Sequence, residues 1–427
     1  MIDLRLIREK PEEVEKNLRK RGKNNRIDEV IILDNEYRRL KTRSDELRNI
    51  RNVVSKEIGF MEEGEEKNVK IEEMKKVSLG VKELDLRVKE ARERLYEKLS
   101  YLPNIPHETV PVSESPDDKL ILREWGEKAV KRDRSHIEIA KELGMIDMER
   151  GAKISRGNFS LYRGKGAVME WGLISYMIEV NTREKGYELV LPPYLVNAET
   201  MYTSGNLPKF EEQLFRCRDD ELYLIPTSEV PLANMHRDEI LREEDLPLYY
   251  CSYTANFRRE AGTHGRDERG LIRTHQFNKV EMFKYTTPES SYGEFDKLVG
   301  DAEDLVRRLG LHYRVTLLVT GDMAMQSAKT VDIEVWLPGQ GGYYEVSSCS
   351  NCEDYQARRG GIRYYPSGGG RPRLVHTLNG SGLATSRLMV AILETYLRED
   401  GSVEVPEVLR KYMGGEERIV RAGKGRR

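Results

Sequence analysis

Two long stretches near the start of the chain repeat apolar residues on alternating three- and four-residue steps. The first runs from Arg26 to Glu57 with almost no helix breaker, and the second runs from Val69 to Tyr101. Steps of this kind indicate the heptad seam of a coiled-coil helix. The seam positions are Val30, Leu33, Tyr37, Leu40, Leu47, Val54 and Ile58, then Met74, Val77, Val81, Leu84, Val88, Ala91 and Leu95.

A break at 59–64 separates the two stretches, so they predict an antiparallel helical hairpin. Each helix would hold roughly 30 residues and extend for about 45 Å at the standard rise. Because this is too long to lie compactly on a small domain, we expect a projecting arm. Ser44 and Arg51 also fall on the seam, where the packing must be imperfect or the charged stem must turn outward.

Beyond the linker at 103–112 the pattern changes to mixed helix and strand signals. Few of the strand signals alternate strictly with helices, as a doubly wound parallel sheet would require. We therefore predict an α+β domain over 105–427, with a mostly antiparallel sheet and flanking helices, preceded by the helical hairpin at 1–104. Four runs are typical of strands: 188–191, 222–225, 314–320 and 331–337.

The 427 residues are 38% hydrophobic, which is enough for a sizeable core and suggests two domains. No apolar run approaches the roughly 20 residues of a spanning helix, and the charged residues at 1–10 do not resemble a signal peptide. Four cysteines are too few to staple such a chain, so we expect the reducing cytoplasm. Cys349 and Cys352 form a C-x-x-C without two further ligands at comparable spacing, and packed thiols are favoured over zinc.

The net charge is only −2, although 34% of the residues are charged. A nucleic-acid surface must therefore come from local segregation of basic residues. On the arm alone, a solvated face with alternating salt bridges is the favoured interpretation, because acidic residues are almost as frequent there. The basic tail at 418–427 could add RNA affinity, but a solvated end is favoured. The basic residues of the arm are Arg38, Arg39, Lys41, Arg43, Arg48, Arg51, Lys82, Arg87, Lys89, Arg92 and Arg94.

The densest group of polar residues lies at 254–284, where two segments flank a glycine-rich charged loop at 261–270. In a β-hairpin, side chains alternate between faces, so Arg273, Phe277 and Glu281 would share one face of the return strand. Such a face makes a poor hydrophobic core and a good ligand floor. Arginines suit phosphate oxygens, a ring suits a base and a carboxylate suits an ammonium. A structural salt-bridge ladder would use the same charges.

Residues 375–396 predict a strand, a glycine turn at 380–382 and then an apolar helix. Arg387 falls in the first turns of that helix, where the helix dipole favours anions. Phosphate is therefore the expected ligand. The glycines do not form a Walker loop, because no Lys-Ser or Lys-Thr follows at the required spacing.

Several segments together resemble the seryl-tRNA synthetases, which are class II aminoacyl-tRNA synthetases, and the resemblance covers nearly the whole chain. It implies the antiparallel sheet of the class II fold. It also implies an enzyme that uses ATP to activate L-serine as seryl-adenylate and transfers it to the 3′ end of serine tRNA. The matching segments are 186–194, 227–232, 257–260, 270–273, 276–277, 345–354 and 378–382.

The resemblance further implies which residues bind serine. Glu281 would hold the ammonium, while the others would read the hydroxyl or shape the pocket. Alanine would leave the hydroxyl partners unpaired, whereas threonine must be excluded sterically. The implied serine-binding residues are Thr227, Ser228, Glu229, Glu281, Asn379 and Ser381.

The implied ATP site lies beside them. Arg258 would meet the α-phosphate and Glu260 the adenine amino group, while Phe277 would stack on adenine near the main chain of Thr274. The implied ATP-binding residues are Arg258, Arg259, Glu260, Arg273, Thr274, Phe277, Glu345, Val346, Ser347, Ser348 and Arg387.

At the other end of a bent ATP, Arg273 and Arg387 would hold the γ-phosphate. Glu345 and Ser348 would bind Mg²⁺ together with the phosphates. Since serine itself attacks the α-phosphorus, catalysis is positioning and charge stabilisation, and no protein nucleophile is needed. The expected catalytic residues are Arg258, Arg387 and Glu345.

The resemblance also implies a homodimer in which the arm holds serine tRNA on the partner's active site by shape and backbone contacts. It leaves open whether selenocysteine tRNA is charged as well. Two alternatives are a paralogue that loads a carrier protein, which usually lacks the arm, and a catalytically silent RNA-binding protein on the same fold. Loss of Glu281, Arg258 or Arg387 would favour the second, and all three are present.

Overall fold

The computed structural model describes residues 1–22, 24–261 and 270–421. Most of the charged loop at 261–270 and the end of the basic tail lie outside the described residues. The chain divides into two compact units, Met1–Pro103 and Asn104–Arg427. Among the described residues, no helix is long and apolar enough to cross a membrane.

The described part of the first unit is helical, and its two long helices contain 33 and 36 residues. Its helices are α1 Leu4–Glu9, α2 Pro11–Arg19, α3 Asp28–Phe60 and α4 Glu65–Ser100. Lys98 near the end of α4 pairs with Glu29 at the start of α3, and Lys70 pairs with Glu57 at the opposite ends. The long helices therefore run antiparallel, and the predicted hairpin is confirmed.

Packing between α3 and α4 follows the predicted seam, whose positions are all buried or half-buried. The polar seam residue Ser44 is only 1% exposed, and its hydroxyl donates to Asp85 Oδ1 at 2.8 Å. Arg48 donates to Asp85 Oδ2 at 2.8 Å, and this hydrogen bond holds the pKa of Asp85 below its ordinary value. The seam thus accommodates a serine because the facing helix supplies an acceptor.

The second unit is built on an eight-stranded sheet. The described strands of the whole unit, within this sheet and outside it, are β1 Leu120–Trp125, β2 Glu188–Leu189, β3 Leu195–Val196, β4 Tyr223–Leu224, β5 Ile240–Arg242, β6 Leu248–Phe257, β7 Gln276–Thr286, β8 Tyr313–Leu317, β9 Lys329–Leu337, β10 Gly342–Asn351, β11 Arg363–Tyr365, β12 Arg373–Leu374, β13 His376–Ala384, β14 Val403–Glu404 and β15 Arg418–Ile419. The order in the large sheet is β1-β8-β9-β10-β13-β7-β6-β2. Every neighbouring pair is antiparallel except β2 with β6. The α+β prediction is confirmed.

Helices cover both faces of this sheet. They are α5 His136–Leu143, α6 Met148–Ile154, α7 Lys165–Arg183, α8 Ala198–Ser204, α9 Glu229–Leu232, α10 Ser291–Arg308, α11 Tyr355–Gly360, α12 Thr385–Thr395 and α13 Glu407–Arg410. Helices α7, α10 and α12 contribute to the main hydrophobic core. Helices α9 and α11 contribute to a smaller core around Phe283 and Tyr285 of β7.

The alternation of side chains along β7 creates a polar floor beside that smaller core. Val280 points into the main core, so Phe277, Lys279 and Glu281 lie on the opposite face of the strand. Arg273 precedes β7. Of the three residues predicted to share this face, only Phe277 and Glu281 therefore lie on the strand itself.

The predicted glycine turn at 380–382 is wrong. Strand β13 continues through these residues and pairs Gly380 with Met282 of β7, and α12 begins directly after it. A Cβ at Gly380 would lie 2.9 Å from Cys349 Sγ and 3.2 Å from Leu298. The glycine is therefore needed for close packing inside the sheet rather than for a turn.

Candidate active site

A cleft of about 610 Å³ opens on the polar face of the sheet. Seven separate segments of the chain line it, and most of the predicted site residues are among the lining residues. Those that line the cleft are Thr227, Glu229, Arg258, Glu260, Arg273, Thr274, Phe277, Glu345, Ser348, Asn379, Ser381 and Arg387.

At one end, a lysine joins two of the predicted serine-binding residues. Lys279 Nζ donates to Thr227 Oγ1 at 2.6 Å and forms an ion pair with Glu281. Glu281 is fully buried, and its ion pair with Lys279 is its one ionic contact among the described residues. Because the two oxygens of a carboxylate offer about four lone-pair sites, one lysine leaves Glu281 with capacity to bind a second positively charged ligand.

A second buried carboxylate, Glu229, lies at the same end. Its Oε1 accepts from Gln356 Nε2 at 2.7 Å and from Gln326 Nε2 at 3.1 Å. Burial, and then the negative charge of Glu281, raise the pKa of Glu229 to about 7. Glu229 is therefore partly protonated at neutral pH, and a cation that binds near it would favour its charged form.

Toward the other end, an arginine faces an aromatic ring. The Arg258 guanidinium carbon lies 5.1 Å from the centroid of Phe277, within cation–π distance. Arg258 Nε also donates to the carbonyl of Pro226 at 3.2 Å. The guanidinium of Arg258 is charged at neutral pH. This end offers a flat apolar surface beside a fixed positive charge.

The cleft lining also contains an ion pair. Arg273 Nη1 donates to Glu260 Oε2 at 2.6 Å, although the resemblance assigned these residues to opposite ends of ATP. Glu260 has a φ of +50°, a backbone conformation that is uncommon outside glycine. The two side chains therefore lie close together, on the two segments that bracket the charged loop.

A β-bulge turns Glu345 and Ser348 toward the cleft. In a regular strand, residues three apart point to opposite faces, but the pairing of β10 with β9 shifts register between Glu345 and Ser347. Val346 is buried in the main core. Arg387 holds this strand from α12, because its Nη1 donates to the Glu345 carbonyl at 2.6 Å and lies 3.5 Å from the Glu345 carboxylate.

Comparisons with known proteins agree with this geometry. A model of the seryl-tRNA synthetase N-terminal domain matches residues 1–106, and a model of the tRNA synthetase class II core domain (G, H, P, S and T) matches residues 209–396. The serine–tRNA ligase of Carboxydothermus hydrogenoformans is 49% identical over 417 residues, which cover 97% of this chain and 98% of the relative. The chain belongs to the seryl-tRNA synthetase family.

Two solved structures of seryl-tRNA synthetases superpose on the chain. That from Pyrococcus horikoshii, complexed with ATP, has a TM-score of 0.91 and 38% identity, and the match covers 99% of this chain and 100% of that one. The cytoplasmic enzyme from Naegleria fowleri, in complex with AMP, has a TM-score of 0.83 and 32% identity, with coverage of 97% and 96%. The chain activates serine with ATP and joins it to tRNA. Nothing in the comparisons supports the silent RNA-binding alternative.

Some residues expected from the seryl-tRNA synthetase resemblance do not line the cleft. Ser228 is buried behind it, where its hydroxyl lies 2.6 Å from Thr254 Oγ1. Ser347 is also buried, and its hydroxyl donates to the carbonyl of Ser381. Arg259 is exposed, and its main-chain N–H donates to Gln213. Val346, in the core, and Glu281, beneath Lys279, are likewise absent from the cleft lining.

Sequence reasoning missed several residues that line the cleft. One of them, Lys279, lies on the same face of β7 as Phe277 and Glu281. The period of two along the strand could therefore have identified it. Gln326 and Ser350 reach the cleft from distant segments, and no local pattern marks them. The C-x-x-C cysteines, Cys349 and Cys352, are buried free thiols. The lining thus depends largely on long-range pairing.

The raised pKa of Glu229 predicts a pH-dependent stability. A carboxyl group whose pKa is higher in the folded chain than in the unfolded chain stabilises the fold at low pH, and this contribution is lost as the pH rises toward 7. Glu229→Gln keeps an acceptor for both glutamines and removes the titration. Between pH 5 and pH 8, the free energy of unfolding should therefore fall less in this variant than in the wild type, by on the order of 3 kcal/mol. Urea unfolding at several pH values measures this difference, and equal pH dependence would contradict the account.

Proposed function

We propose that serine binds at the Glu281 end of the cleft, with its ammonium on the Glu281 carboxylate. The observation that carries this role is a fully buried carboxylate whose one ionic contact among the described residues is Lys279. Thr227, Glu229, Asn379 and Ser381 surround the same space and supply partners for the serine hydroxyl. A pocket of polar groups rejects alanine, because its buried donors and acceptors would be left unpaired.

ATP binds along the rest of the cleft. Phe277 stacks on adenine, and Arg258 contacts the α-phosphate where serine attacks. Arg273 and Glu260 pair with each other, so ATP must separate them before Arg273 reaches the γ-phosphate and Glu260 reaches the adenine amino group. Arg387, held against the Glu345 carbonyl, contacts the γ-phosphate as the second cation.

Glu345 and Ser348 are the residues that would hold Mg²⁺ with the phosphates. Both line the cleft, as a result of the bulge in β10. The described residues contain no group of three or more metal-ligating His, Cys, Asp or Glu side chains. This suits Mg²⁺, which commonly takes one or two carboxylates and completes its shell with phosphates and water. When bound, Mg²⁺ neutralises charge on the phosphates.

We propose residues 105–427 as the catalytic domain and residues 1–104 as the tRNA-binding arm. On the arm, Arg38 and Arg39 of α3 are exposed and form no hydrogen bond or ion pair with another described residue. Lys41 and Arg43 are already paired with Asp45 and Glu46. Arg38 and Arg39 are therefore available to bind the phosphates of tRNA. Serine tRNA is the expected substrate, and charging of selenocysteine tRNA can be measured with the same preparation.

A homodimer is the proposed assembly. Trp171 and Val168 on α7 are exposed, Trp171 to 59%, and so is Leu189 on β2, a strand that contacts this helix. Clustered apolar side chains of this kind mark interfaces. All four cysteines of the chain are unpaired, which fits the reducing cytoplasm as the compartment where it acts.

Glu281→Gln should abolish serine activation. The substitution keeps the shape of the side chain and removes the charge that the serine ammonium requires, so formation of seryl-adenylate should fall roughly a thousandfold. Radiolabelled ATP with serine and Mg²⁺ measures the adenylate directly. Glu303→Gln is the matched control, because Glu303 is a buried carboxylate paired with Arg123 away from the cleft. Normal adenylate formation by the Glu281 variant would refute its role.

The arm should affect tRNA without affecting serine activation. In Arg38→Ala/Arg39→Ala, tRNA binding should weaken, and the slope of log affinity against log salt should fall by about one for each phosphate that the arm no longer neutralises. Lys41→Ala/Arg43→Ala is the control, since those cations pair with Asp45 and Glu46 of the same helix. Filter binding at several salt concentrations separates the two variants. Equal weakening in both would show that the exposed arginines have no special role.

Trp171→Glu should convert the assembly to monomers, because a charge in an apolar interface must be desolvated without a partner. Sedimentation equilibrium measures the mass. Val130→Glu is the control, as Val130 is an 82% exposed apolar residue in another part of the unit. If the wild type sediments as a monomer, or if the Trp171 variant remains a dimer, this interface is wrong.

A further inference from the structure

A buried carboxylate outside the cleft collects hydrogen-bond donors from two other segments. Glu394 lies near the end of α12 and is fully buried. Its Oε1 accepts from the main-chain N–H and the Nδ1 of His136 and from Gln340 Nε2, each at 3.1 Å. Its Oε2 accepts from the N–H of Gly339 at 2.8 Å. Four donors compensate the buried group and fix it to α5 and to the turn between β9 and β10.

His136 connects Glu394 to residues 270–273, the return segment that leads from the charged loop into β7. Its side chain is almost fully buried, and its Nε2 accepts from the main-chain N–H of Leu271 at 3.3 Å. A ring nitrogen that accepts carries no hydrogen, so the hydrogen is on Nδ1 and is donated to Glu394. A single neutral tautomer therefore satisfies both partners. The fit is tight, because a Cβ at Gly270 would lie 2.4 Å from Nε2.

The same hydrogen bonds reach three segments that carry proposed phosphate-binding residues, namely Arg273, Glu345 and Arg387. Leu271 is followed by Ile272, whose carbonyl accepts from Arg387 Nε at 3.3 Å, and then by Arg273. The turn at Gly339 leads into β10, which carries Glu345. Helix α12 carries Arg387 near its start and Glu394 near its end.

We propose that His136 and Glu394 are positioning residues that hold the return segment, β10 and α12 in the arrangement that binds ATP. Neither residue lines the cleft, and neither belongs to the segments that the resemblance marked. This proposal rests on the proposed function, because ATP is the ligand whose binding the pair supports. Serine is proposed to bind at Glu281, which none of these hydrogen bonds involves, so the pair should affect ATP and leave serine almost unaffected.

Two substitutions at His136 separate positioning from simple stability. The amide of asparagine ends near the place of Nδ1, so His136→Asn keeps a donor for Glu394 and leaves the Leu271 N–H without an acceptor. The amide of glutamine extends to the place of Nε2, so His136→Gln keeps that acceptor and loses the side-chain bond to Glu394. Each variant loses one hydrogen bond, and their thermal stabilities should be similar.

We expect the KM for ATP, measured by serine-dependent pyrophosphate exchange, to rise roughly tenfold in His136→Asn, because a buried N–H is left unpaired. In His136→Gln it should stay within about threefold of the wild type, and the KM for serine should change less than twofold in both. His312→Asn is the control, since His312 is a buried histidine with two hydrogen bonds away from the cleft. Equal KM values for ATP in the two His136 variants, or parallel changes for ATP and serine, would overturn the proposal.

Amide hydrogen exchange tests the same pair independently of catalysis. The Leu271 amide should exchange as slowly as the amides of α12 in the wild type, should remain slow in His136→Gln and should become fast in His136→Asn. A fast Leu271 amide in the wild type would overturn the proposal. If the wild type shows slow exchange at Leu271 but no serine-dependent activity, the proposed function is wrong. The hydrogen bonds of His136 and Glu394 would then hold the fold together without a role in ATP binding.

Discussion

Charge balance on the floor of the cleft is the constraint on which the active site depends. Glu229 and Glu281 are both buried on the same face, where two ionised carboxylates without compensation would destabilise the fold strongly. Lys279 pairs with Glu281, and the raised pKa of Glu229 leaves that group partly protonated at neutral pH. The ammonium of serine adds a second positive charge to this group. Serine binding therefore supplies positive charge that the two buried carboxylates require and that Lys279 provides only in part.

The antiparallel sheet supplies both a core and a ligand floor because its two faces have different roles. One face packs under α7, α10 and α12, while Phe277, Lys279 and Glu281 occupy the other. Register shifts at 345–347 in β10 and at 381–384 in β13 interrupt the alternation of side chains beside the cleft. They allow Glu345 and Ser348, three residues apart, to face the same space. Arg387 then joins β10 to α12 through the Glu345 carbonyl.

The sequence predicted those features that depend on short periods and on familiar motifs. The three- and four-residue steps predicted the hairpin of α3 and α4, and the motifs predicted half of the residues that line the cleft. The continuous strand through Gly380 could not be foreseen, because the glycine is required by Cys349 and Leu298, which are distant in sequence. The same holds for His136 and Glu394, which are 258 residues apart. Bulges escaped prediction because register depends on both strands.

Pyrophosphate exchange into ATP, measured with each of the twenty amino acids and Mg²⁺ in the absence of tRNA, tests the central claim most directly. The account predicts exchange with serine alone, because the pocket pairs both the ammonium and the hydroxyl of its substrate. Exchange with alanine at a comparable rate would contradict the hydroxyl recognition. Absence of exchange with every amino acid would contradict the proposed roles of Glu281 and Arg258 altogether.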